Sequence, residues 1–195
     1  MNLINNYMRF FLTSLILILS LQSFSNADNI SDFKIEGIGV GDSLLNFFDE
    51  NEIITSKRDF YKDDEFLVSL LPTLEEDSMY GYIQVHYKKN DKKYVVQGID
   101  GLIDIDIQEC LKMQLGVINE ISSMFKNLKL EGPFKYEHSA DLSGKSSTTH
   151  YEWHFDNAKI EVVCYDFVKP MKYPDGLNVA IQTNELQKWL NTKAY

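Results

Sequence analysis

The chain has 195 residues, a formal net charge of −10, 13% aromatic side chains and two cysteines. An acidic surface repels phosphate backbones and anionic lipid, which sets aside nucleic-acid binding and electrostatic membrane binding. The aromatic content supplies ample apolar surface to bury and sets aside disorder, and the acidic residues are dispersed among lysines, as on a solvated face.

Residues 1–27 read as a cleavable secretory signal peptide. The cation Arg9 precedes an apolar run over 10–21, and Ser25-Asn26-Ala27 places small residues where signal peptidase reads them. The run holds about 12 residues where a spanning helix needs roughly 20, which argues against a retained anchor. No cysteine lies in or just after it, which argues against a lipoprotein. The protein is therefore expected to be periplasmic or secreted, with residues 28–195 as a single α+β domain.

In chain order, 33–40 is strand-like, and Gly41-Asp42-Ser43 opens a short helical patch carrying Leu44, Leu45, Phe47 and Phe48. A second short helix over 49–56 is expected to turn Ile53 and Ile54 inward. Strands follow over 66–71, closed by Pro72, and over 81–87 and 94–99, joined by a polar turn. The middle strand alternates, with Ile83, Val85 and Tyr87 on one face and Tyr82, Gln84 and His86 on the other.

The strongest signal is a helix over 106–128. Its stripe runs Ile107, Cys110, Leu111, Gln114, Val117, Ile118, Ile121, Met124, Phe125 and Leu128, at spacings of three and four. Asp104 and Asp106 sit where the helix dipole favours negative charge. Residues 131–149 read as a polar loop, then come strands over 151–155, 160–167 and 177–181 and a closing helix over 184–191. The expected fold is α+β: two successive units of a helix and a three-stranded antiparallel sheet, plus the C-terminal helix.

An even cysteine count in an oxidising compartment suggests a Cys110–Cys164 disulfide, the alternative being two buried thiols. If the helix covers the face shared by Ile160, Val162 and Cys164, the sulfurs can meet. If it covers Val163, Tyr165 and Phe167, they point apart. The alternation leaves both open.

The tandem order of helix and antiparallel strands resembles the architecture of β-lactamase inhibitor protein, and the small outer-membrane assembly lipoproteins of bacteria use one such unit. The phrase Ile38-Gly39-Val40-Gly41-Asp42-Ser43 is similar to the glycine-then-helix entry of those lipoproteins. The stretches 35–45 and 163–167 and the ending 184–195 look like a family of small exported bacterial proteins of uncharacterised activity. That likeness implies no activity and transfers no functional residue.

Of the candidate chemistry, His150-Tyr151-Glu152-Trp153-His154 is the most suggestive, because His150, Glu152 and His154 share one face of a strand and zinc accepts both residue types. Positions four apart on a strand lie roughly 13 Å apart, so two adjacent members can chelate only with outside help, for instance from His86 or His138. A solvent-facing polar face explains the same pattern.

Gly144-Lys145-Ser146 lacks the earlier glycine of a phosphate-binding loop, Ser139 standing there. Asp100, Asp104, Asp106 and Glu109 lack calcium-loop spacing and suit helix capping. There is no nucleophile elbow and no paired-cysteine motif. No catalytic residue and no cofactor is assigned. The loop 168–176 offers Met171 and Tyr173 to a partner, unless both pack on the sheet edge.

The expected function is a non-catalytic exported binding or interaction module, a monomer whose partner is another exported or envelope protein, with no nucleic acid and no membrane after cleavage. The alternative is a hydrolase or metal-dependent enzyme whose site assembles from His86, His138, His150 and His154.

Overall fold

The computed structural model describes residues 30–138 and 141–195, so the expected leader lies outside the described residues. Eight strands form one antiparallel sheet: β1 (Lys57–Arg58), β2 (Phe66–Leu71), β3 (Tyr82–Lys88), β4 (Val96–Asp104), β5 (Glu131–Glu137), β6 (Ser147–His154), β7 (Ala158–Asp166) and β8 (Gly176–Thr183). Their order is β1-β2-β3-β4-β8-β7-β6-β5. The helices are α1 (Glu50–Thr55), α2 (Ile107–Met124) and α3 (Asn184–Thr192).

This corrects the expectation of two helix-plus-three-strand units. The chain lays down β1 to β4, crosses by α2 to the far edge at β5, and builds inward until β8 pairs with β4 from Gly98↔Gln182 to Asp104↔Gly176. Two separate sheets would each expose a full-length strand with unpaired amides and carbonyls. Pairing β4 with β8 satisfies both edges at once. The outer edges that remain are the two-residue β1 and β5, which carries Pro133 and a register shift. β5 lies in the stretch 131–149 expected to be a polar loop; its Gly132-Pro133 pair and mostly exposed residues hide any alternation.

One face of the sheet is the core. Ile83, Val85 and Tyr87 of β3, Ile99 of β4, Val179 and Ile181 of β8, and Ile160, Val162 and Cys164 of β7 are buried there. α2 covers it with Cys110, Gln114, Ile118 and Ile121, followed by Phe125. The helix starts at Asp106, whose side chain accepts from the amides of Gln108 and Glu109. The Gln114 side chain, buried among strands, donates to the carbonyls of Thr149 and Val162 at 2.8 and 3.0 Å. Met124, expected on the stripe, is instead 43% exposed, one step round from Phe125.

Cys110 and Cys164 form a disulfide with Cα atoms 5.9 Å apart. Of the two faces left open by the alternation, the one shared with Ile160 and Val162 is covered. Trp153 and Trp189 are both buried.

The N-terminal segment corrects a second expectation. Residues 33–40 form a tight turn with one Ile35↔Ile38 bridge. Glu36 and Gly37 have positive φ, and the Glu36 carboxylate accepts from the amides of Leu74 and Glu75 and from the Ser78 hydroxyl. Those bonds offset the cost of left-handed backbone at a non-glycine residue. α1 begins in a capping box between Asp49 and Glu52 and buries Ile53, while Ile54 faces solvent.

Candidate functional site

The second face of the sheet holds the polar and aromatic side chains. Read across the register, Gln84 of β3 stands beside Asp100 of β4, then Ala180, Glu161, Glu152 and Glu131 on the strands that follow. Two clusters and one cleft lie along this face.

The first cluster is buried. His86 and Asp100 are almost completely enclosed, with His86 Nδ1 and Asp100 Oδ2 3.7 Å apart. Tyr61 Oη lies 3.0 Å from His86 Nε2. Asn178 and Gln182 donate to Asp100 Oδ1, while Asp100 Oδ2, His86 Nδ1 and Asn178 Oδ1 have no hydrogen-bond partner. Burial penalises charge on both members. It pushes the Asp100 carboxyl up to about 7, aided by the negative Glu161 and opposed by Asn178 and Gln182, and it holds His86 down near 4. The pair is thus set towards a neutral acid beside a neutral imidazole.

The second cluster lies on β6 and β7. His150 Nδ1 is hydrogen-bonded to Glu161 Oε1, and His150 Nε2 lies 2.7 Å from the Thr148 hydroxyl. The donor atoms of His150, Glu152 and Glu161 all fall within 4.8 Å of one another. Glu161, on the neighbouring strand, thus supplies the third member of the set proposed from sequence. His154 does not join it: half exposed, its Nε2 lies 3.1 Å from Glu152.

A histidine and two carboxylates can in principle ligate zinc. Here the Lys159 ammonium sits 3.1 Å from Glu152 and 3.2 Å from Glu161, where it already compensates both. Burial works against ionisation of Glu161, but the His150 ring and Lys159 more than offset it and hold the carboxyl below the usual range. The arrangement is an ionic network in which Lys159 already pairs with both carboxylates.

The cleft, of about 430 Å³, opens on the same face. Its floor is Tyr82, Gln84, Leu102, Asp104 and Gly176, from β3, β4 and β8. Gly176 is required there, because a Cβ would sit 2.6 Å from the Ile103 carbonyl oxygen. Phe60 and Tyr195 stand on the β2 side, both beside Tyr61. His138, Phe167 and Tyr173 stand on the β7 side, where Phe167 lies 4.9 Å from the His138 ring and 5.4 Å from that of Tyr173.

The second wall is braced. The Asp175 side chain accepts from the Phe167 amide at 2.7 Å, its carbonyl accepts from Ile105, and the Ser146 hydroxyl accepts from Val168. Asp141 in turn takes the amides of Ser143, Lys145 and Ser146.

The four histidines named from the sequence have different surroundings. His86 is under Tyr61, His138 is on the cleft wall, His150 is with Glu161, and His154 is at the outer end of β6. Of the two loop candidates, Tyr173 lines the cleft and Met171 does not. The sequence reading missed Phe60, Phe167 and Tyr195 as wall residues, and it gave Asp104 to helix capping although Asp106 alone caps α2. The signal that could have found the floor was the β3 alternation, which sets Tyr82 and Gln84 opposite the apolar face. No protein-family model, curated protein or solved structure matches this chain.

Proposed function

We propose that this protein is an exported binding module that holds its ligand in the aromatic cleft. The observation that carries the reading is the cleft itself: braced aromatic walls over a polar sheet floor, of a volume typical of small-molecule sites. Export is supported by the Cys110–Cys164 bond, since disulfides persist in oxidising compartments. The Lys159 ammonium, already paired with Glu152 and Glu161, favours binding in the cleft over metal chemistry at the His150–Glu152–Glu161 group.

N-phenyl-1-naphthylamine, a neutral dye that brightens in apolar surroundings, tests the site. It should bind saturably at one molecule per chain. The double variant Phe60→Ala/Tyr173→Ala should abolish that binding and change stability by less than about 1 kcal/mol, because both rings are more than half exposed. Unchanged dye binding in the double variant refutes the cleft as the site.

A further inference from the structure

The cleft is lined by the rings of Phe60, Tyr82, Phe167, Tyr173 and Tyr195, with the carboxylate of Asp104 on the floor, His138 on one wall, and no lysine or arginine. Asp104 lies close enough to Tyr82 to raise its phenol, after the larger effect of burial. A second carboxyl, Asp100, is buried one register step from Gln84 of the floor, with Oδ2 unpartnered.

Aromatic faces carry negative potential, so the rings and the Asp104 carboxylate act in the same direction: both attract a cation and both oppose an anion. A metal ion is poorly matched, because hard cations want several oxygen ligands and this lining gives one carboxylate among carbon-rich rings. An organic cation is matched, because its methyl or methylene groups pack on the rings while its charge meets Asp104.

We propose that the cleft binds a small organic cation of the alkylated ammonium class, its charged head beside Tyr82 and Asp104. This rests on the cleft being the binding site, and the test separates the two claims. With N-phenyl-1-naphthylamine bound, choline and its neutral counterpart 3,3-dimethylbutan-1-ol are titrated as competitors. They have nearly the same shape and differ in charge. Choline should displace the dye about tenfold more effectively.

Asp104→Asn, at an exposed position, should reduce choline's advantage over the alcohol about fivefold, each competitor being referred to the dye affinity measured for the same variant. Equal competition by the two, no competition by choline, or a choline preference that survives Asp104→Asn intact overturns the proposal while the dye still reports a binding cleft. Failure of the dye to bind, or dye binding that ignores Phe60→Ala/Tyr173→Ala, removes the cleft itself.

Discussion

The two faces of the sheet are built from the same strands and treat polar groups in opposite ways. On the face under α2, no histidine, lysine, arginine or carboxylate is buried among the described residues, and the buried amide of Gln114 is fully used in two bonds to strand carbonyls. On the other face, His86 and Asp100 are buried with an atom each unpartnered, and carboxylates stand in register on neighbouring strands. Unpartnered buried polar atoms cost stability. Both faces hold such an atom, Trp153 Nε1 on the covered one, but the buried ionisable pair lies only on the cleft side among the described residues, which separates the part that holds the fold together from the part that can recognise something.

Breaking the covered face should have the largest effect. The Cys110–Cys164 bond joins the first turn of α2 to mid-β7 across a sequence separation of 54. Replacing both cysteines by alanine should cost about 4 kcal/mol on the chain-entropy view of a loop that long. Urea denaturation measures it, and a loss below about 1 kcal/mol would mean that α2 is held by packing alone.

The polar face should show itself through pH, by up to about 3 kcal/mol. Asp100 has a folded pKa of about 7 against an ordinary 3.8. As pH rises between those values the unfolded chain gives up a proton that the folded chain keeps, so stability falls. His86 has a folded pKa of about 4 against 6.5, so between those values the unfolded chain holds a proton the folded chain lacks, and stability rises with pH. The two slopes, each at most about 1.4 kcal/mol per pH unit, nearly cancel in the intact pair. Asp100→Asn should therefore leave a stability that rises from pH 4 to 6.5, and His86→Gln one that falls from pH 4 to 7. Urea midpoints at intervals across that range decide it, and two variants with the same slope would exclude a buried neutral pair.

The outer cluster should give the smallest change and the sharpest distinction. Lys159→Met leaves Glu152 and Glu161 uncompensated at about 15% exposure each and should cost about 2 kcal/mol at neutral pH, less than a fully buried pair. The same variant frees the His150–Glu152–Glu161 donors, so zinc should bind it more tightly than it binds the unaltered protein. Calorimetric titration of both proteins with zinc measures this. Equal binding would mean that Lys159 does not compete for the site.

Local patterns carried a good deal of this. The stripe from Cys110 to Phe125 placed α2 on the core, the alternation of β3 assigned its two faces, and the acidic residue expected at the start of α2, Asp106, caps it. These follow from chain neighbours within one or two turns, and periodicity and capping act at that range.

The sequence by itself paired the two cysteines only by count and compartment, and it brought His150 and Glu152 to one face of one strand; which strand face the helix covers, and so whether the sulfurs meet, was decided by the tertiary structure. Only the tertiary structure decided the rest. That β4 pairs with β8 and merges two halves into one sheet depends on edges 78 residues apart, as the Asp100–Asn178 bond records. That Glu161 and not His154 completes the outer cluster depends on the β6–β7 register. The cleft needs Phe60, Asp104, Phe167 and Tyr195 from four separate stretches of chain. Pairing between distant edges is chosen by burial and hydrogen bonding of the whole sheet, and no window of local sequence contains that information.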